Sequence, residues 1–146
     1  MSTRNKEFRL LTRFYRWSLV LLYYSPFLAA CMVIYYLSSL SHPPVPRFFR
    51  FPNSDKLLHA IAFFGVGAAA ALGAGLRRRL VDYRTYLEAW ILAILYAMFD
   101  EVHQIFTPHR MSSSADWVAD ALGSALGIGL FFYFILHLKR LSGWLR

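Results

Sequence analysis

The sequence predicts an all-α integral membrane protein, a four-helix bundle with both termini on the cytoplasmic side. Three observations carry that prediction. Hydrophobic residue types make up 58% of the 146 residues and charged ones only 16%, against about 25% charged in an average soluble domain, so a single domain of this size could not hide its apolar surface from water. Four apolar runs approach the roughly 20 residues that a helix needs to cross a bilayer. The 16 Lys and Arg, set against 8 Asp and Glu, fall unevenly between the connections, as a membrane topology requires. The apolar content excludes disorder, and the single cysteine, Cys31, excludes a disulfide scaffold.

A basic arm, residues 1–16, leads into the first span at about 17–40, which carries no charge and has Pro26 as a kink. The second span, about 57–76, is broken only by His59 near its start. The third, about 86–106, has Glu88 at one end and Asp100, Glu101 and His103 at the other; the fourth, about 117–138, has Asp120 in its first turn and His137 in its last. The membrane domain thus covers 17–138, and residues 139–146 form a basic cytoplasmic tail. Leu28-Ala29-Ala30-Cys31 resembles a lipoprotein cleavage box, but the apolar run continues from Met32 to Leu40, so an uncleaved span with small residues at a helix contact is preferred.

Twelve of the basic residues lie in the N-terminal arm, the connection after the second span and the C-terminal tail. These segments share one side of a four-span bundle, and the excess of Lys and Arg marks that side as cytoplasmic. The run Arg77-Arg78-Arg79 is a topology signal facing lipid headgroups rather than a nucleic-acid site. The other side holds Arg47, Arg50, Lys56 and Arg110 together with five of the eight acidic residues, Asp55, Asp100, Glu101, Asp116 and Asp120, and His42, His59, His103 and His109. Charged groups in a bilayer cost a few kcal/mol each and turn to a bundle interior or a wet cavity, so the pattern predicts one polar pocket opening outward. Asp55 and His59 share a face at i and i+4, with Lys56 turned away; Asp100, His103 and Gln104 share another, with Glu101 pointing elsewhere; Asp116 and Asp120 share a third.

Small residues predict close helix packing at two ridges, Gly65, Ala69 and Gly73 on the second span and Ala119, Gly123 and Gly127 on the fourth. Pro108 ends the third helix, a serine of Ser112-Ser113-Ser114 caps the fourth, and Arg110 on this short tether can grip a carboxylate or phosphate in bidentate fashion. Asp100 and Glu101 sit at a helix C-terminus where the dipole opposes them, so Arg110, Lys56 or a bound cation must compensate. Five of the pocket residues also admit a structural role: Asp55 and Asp116 as helix-start residues, His59 and Gln104 as interhelical hydrogen-bonding partners, Lys56 as an interfacial anchor. His59, His103, Asp100, Glu101 and Asp120 are acceptable ligands for zinc or manganese, and His59 or His103 could act as the base of a metal-free hydrolase with the carboxylates orienting it; but no compact ligand motif such as H-E-x-x-H is present and no Gly-Ser-Gly nucleophile elbow, so no metal, cofactor or catalytic residue is assigned.

Asp55-Lys56-x-x-His59 with Phe63, Asp100-Glu101-x-x-Gln104-x-Phe106, Arg110-x-x-Ser113-x-x-Asp116 and Gly123-x-x-x-Gly127 together resemble the signature of VanZ-like membrane proteins over about residues 43–138. Two positions depart from it: Asp120 stands where the family commonly has Asn, and His109 where Gly often precedes the loop arginine. The resemblance implies a small multi-pass protein of the bacterial inner membrane, in a family whose founding member is associated with resistance to teicoplanin-type glycopeptides. Because it supplies a phenotype and no reaction, it favours a non-catalytic envelope protein whose outward polar pocket binds a cell-wall, lipid-linked or lipopeptide-like ligand. The alternative is a small integral-membrane enzyme acting on a phosphorylated or acylated envelope lipid. The partners expected are the lipid bilayer and an envelope lipid or cell-wall precursor, with no nucleic acid; the sequence sets no oligomeric state.

Overall fold

The structure, a computed structural model, describes residues 3–49, 51–78 and 81–143. It is all-helical, with no strand among the described residues: α1 (Thr3–Ser38), α2 (Ser54–Arg78), α3 (Tyr83–Ile105) and α4 (Ser114–Leu141), with a short 3-10 turn at Arg47–Phe49 before α2. Arg50, Arg79 and Arg146, counted in the topology argument, lie outside the described residues. The basic arm is not a separate segment: the backbone is helical from Thr3 and continues through Pro26.

Helix boundaries follow local chemistry. Asp82 caps α3, accepting from Thr85 Oγ1 at 2.7 Å and Thr85 N at 2.8 Å. Those bonds hold its carboxyl below the usual carboxylate range. Ser113 caps α4 by accepting from Ala115 N at 3.2 Å. Phe106 closes α3, and His109 turns the following connection with φ 62°.

Among the described residues three helices are long and apolar enough to cross a membrane, at Thr12–Ser38, Ser54–Arg78 and Ser114–Leu141. α3, expected as a fourth span, differs because Glu88 on one side and Asp100 on the other leave only residues 89–99 free of charge. At 1.5 Å per residue that stretch covers roughly 16 Å of a hydrocarbon core of about 30 Å. Its inner face carries Thr85, Ala89, Ala93, Ala97 and Glu101 at every fourth position, all buried. Outward positions are apolar and exposed, such as Val118, Leu122, Leu126 and Leu130 on α4. A surface of that kind needs lipid as its solvent.

α2 packs on all three other helices, most extensively on α4. A Cβ on Gly123 would stand 2.1 Å from the carbonyl oxygen of Ala60, one on Gly127 2.1 Å from that of Phe64, and one on Gly67 2.3 Å from that of Ser124. The two backbones touch, as small residues permit in lipid. The ridge expected on α2 does not act as one surface. Gly65 faces open space, with nothing within 4 Å of an added Cβ, whereas Gly73 lies against Tyr24 of α1 and Ala69 is only partly buried. The reason is helical drift: at 3.6 residues per turn, steps of four rotate by roughly 40° each, so such a row winds from one neighbour to the next. The α4-facing positions are Ala60, Phe64 and Gly67 instead.

Candidate functional site

Three helix ends meet on one side of the bundle, where α2 begins, α3 ends and α4 begins. The stripe of small residues on α3 finishes at Glu101 and presses it against the start of α4, where Glu101 Oε2 accepts from Ser113 N at 2.8 Å and Ser112 Oγ at 2.9 Å. A carboxylate disfavoured by its own helix dipole is thus favoured by the N-terminus of the next helix. Neighbouring Asp100 Oδ2 accepts from Gln104 Nε2 at 2.8 Å, one turn on. Both carboxylates are buried, Asp100 at 1% and Glu101 at 6% exposure.

The close contact of α2 with α4 sets the rest. Because Gly123 lets α4 reach the backbone of Ala60, the adjacent His59 comes within 3.0 Å of Asp120, Nδ1 to Oδ1, and Asp120 has no exposed surface. His59 Nδ1 is also 4.0 Å from Glu101 Oε1. With Asp120 ionised, the Nδ1–H donates to it and the other ring nitrogen is left for a further partner. Lys56, on the rim, donates to Asp55 at 2.9 Å and to Asp116 at 3.2 Å, so it ties the starts of α2 and α4 together rather than serving only as an anchor in lipid.

A cavity of about 300 Å³ opens beside these groups. His59, Asp55, Asp100 and Arg110 line its polar wall, and Pro43, Pro44, Val45 and Ile34 its apolar one. Arg110 makes no ion pair among the described residues, and its buried Nε has no hydrogen-bond partner. It was one of three expected compensators for Asp100 and Glu101, and neither it nor Lys56 pairs with them.

Several placements differ from the spacing argument. Glu101 turns inward with Asp100 and Gln104, not elsewhere. His103 leaves the group: its ring packs 4.5 Å from Tyr35 of α1 and 6.3 Å from Phe99, centroid to centroid. Ala119 is only partly buried beside the buried Gly123 and Gly127. Ser112 and Ser113, read as loop and cap residues, are in addition the partners of Glu101; no motif signals that role.

The opposite end of the bundle holds a larger cleft of about 870 Å³, lined by Arg13, Arg16, Trp17, Tyr24, Arg77 and Glu88 among others. Glu88 is saturated there, accepting from Tyr24, from Arg77 and from Arg78 Nε at 2.6 Å. Its partners are a network internal to the fold, so the first end is the better candidate site.

A family model described as VanZ/LLP1 matches residues 19–137, reaching back through most of α1 where the signature motifs began only after it. No protein of curated function and no solved structure matches the chain.

Proposed function

The chain belongs to the VanZ/LLP1 family of membrane proteins, and from that premise we propose that it sits in the bacterial cytoplasmic membrane and binds an anionic, lipid-linked envelope ligand in the cavity beside Arg110. The pocket opens outward and both termini are cytoplasmic, a sidedness supported by the twelve basic residues that the sequence puts in the N-terminal arm, the connection after α2 and the C-terminal tail. The observation that carries the reading is Arg110, a cation with no ion pair among the described residues, in a cavity whose lining is mostly apolar. An unpaired guanidinium suits a phosphate or carboxylate headgroup, and the proline and aliphatic wall suits the chain attached to it. Capture of such a ligand would alter susceptibility to teicoplanin-type glycopeptides by withholding or shielding a wall precursor.

The test is binding of a polyprenyl phosphate to the purified protein in phosphatidylcholine nanodiscs, with wild type and Arg110→Ala compared. Loss of one charge-assisted hydrogen-bonding pair is worth about 1.5–3 kcal/mol, roughly a tenfold to hundredfold weaker affinity. Equal affinity in the two proteins would overturn the reading. A second reading, an enzyme acting on the same lipid, is supported by the His59–Asp120 pair, a histidine whose orientation and tautomer a buried carboxylate sets. Release of inorganic phosphate or of an acyl group by wild type, lost in Asp120→Asn, would favour it over simple binding.

A further inference from the structure

Asp100, Glu101 and Asp120 are each more than nine-tenths buried, and each has one oxygen with no hydrogen-bond partner among the described residues: Asp100 Oδ1, Glu101 Oε1 and Asp120 Oδ2. Among the described residues, the one basic side chain paired with any of them is His59. Lys56 is committed to Asp55 and Asp116, and Arg110 pairs with neither Asp100 nor Glu101. No hydrogen bond joins any two of these three carboxylates among the described residues, so a proton shared between two of them does not settle the charge. Buried carboxylates in a low-dielectric interior are neutralised by a proton or by a cation, and three of them around one histidine, each with an oxygen left open, suit a cation.

We propose that His59, Glu101 and Asp120 bind a divalent transition-metal ion. One ligand atom from each of the three lies within 4.8 Å of the others. Donors around a tetrahedral ion bound at 2.0–2.2 Å stand roughly 3.5 Å apart, so a small inward shift of these side chains closes the set, His59 exchanging its hydrogen bond to Asp120 for the ion. Support for the ligands is already in place. Ser112 and Ser113 hold Glu101 by Oε2, which leaves Oε1 on the side of His59. Two carboxylates and one imidazole suit zinc, manganese or ferrous iron; calcium would demand more oxygens and copper(I) softer donors. The remaining coordination positions fall to water or to a ligand atom entering past His59, which also lines the cavity. The inference rests on the buried triad and stands whether or not the cavity holds a lipid.

The experiment uses the full chain in phosphatidylcholine nanodiscs, stripped with chelator and titrated with Mn²⁺ followed by paramagnetic resonance. Wild type is expected to take up one Mn²⁺ per chain and to release it to Zn²⁺, in line with the order of affinities for such donors. Glu101→Gln and Asp120→Asn should each weaken binding at least tenfold, and Zn²⁺ should raise the Tm of wild type but not of either variant. Asp82→Asn, at the other end of the bundle, should bind as wild type does. His42 and His109, whose rings lie 5.6 Å apart, offer a rival surface site. Uptake abolished by His109→Ala and kept in Glu101→Gln would overturn the proposal, as would a wild type that binds no ion at millimolar Mn²⁺ or Zn²⁺. Helical circular dichroism unchanged from wild type shows that a variant has folded; if both amide variants unfold, Cd²⁺ or Zn²⁺ quantified by mass spectrometry in His59→Ala serves instead, with loss of the ion again the supporting result.

Discussion

Lys56 bridges α2 and α4 through Asp55 and Asp116, and its two bonds differ in what they protect. The Asp55 side chain is 59% exposed and water can replace its partner, whereas that of Asp116 is only 8% exposed. Removing one member of a fully buried ion pair costs about 3–5 kcal/mol because the other is stranded; Lys56 is itself partly in solvent, so Lys56→Met should lower stability measurably but by well under that figure. Unfolding in detergent micelles measures it. Asp116→Asn in the same background should recover most of the loss, and an unchanged Lys56→Met would mean the bridge is incidental. Glu101 teaches a related lesson. That it needed a compensating partner was legible from its place at the end of an apolar helix. That the partner would be the amide of Ser113 was not, because the pairing depends on where α4 docks.

At the scale of elements, α2 and α4 are bound by backbone contact at three glycines, and this contact positions His59 against Asp120. Gly127→Ala puts a Cβ 2.1 Å from the carbonyl oxygen of Phe64. A backbone atom cannot swing away, so overpacking of about 1–3 kcal/mol outweighs the roughly 1 kcal/mol that alanine gains over glycine in a helix. Gly65→Ala meets nothing within 4 Å and should be neutral or slightly stabilising. Thermal unfolding of the two variants in the same detergent checks the contrast, and equal effects would refute it. Periodicity found the glycines of α4 correctly placed for contact but could not say that Gly65 and Gly73 serve different surfaces. The stripe of Thr85, Ala89, Ala93 and Ala97 on α3, which carries Glu101 inward, follows the same four-residue rule and was readable in principle. It was masked by the more conspicuous spacing of Asp100, His103 and Gln104.

For the whole molecule, charge is separated between segments of the chain. Along the sequence, the N-terminal arm, the connection after α2 and the C-terminal tail hold twelve basic residues, and the remaining segments hold five carboxylates and four basic residues; in the structure Glu88 is held by Arg77, Arg78 and Tyr24. The side with the excess of Lys and Arg should face the cytoplasm. A fluorescent protein fused to the C-terminus should therefore fluoresce, and an alkaline phosphatase fused there should be inactive; the reverse pair of results would invert the topology and turn the pocket inward.

Composition and local spacing by themselves determined that lipid is the solvent, that the chain makes four helices, and that the polar groups gather where three of them end. Those properties belong to stretches of a helix or less, where apolar length and the 3.6-residue period suffice. Tertiary structure alone decided that His59 meets Asp120, that Glu101 accepts from the Ser113 amide, that the His103 ring packs on Tyr35 and that Arg110 has no ion pair among the described residues beside a cavity. Such contacts turn on how each helix is rotated and how closely two backbones approach, quantities fixed by the packing of distant glycines and invisible to any i, i+4 rule.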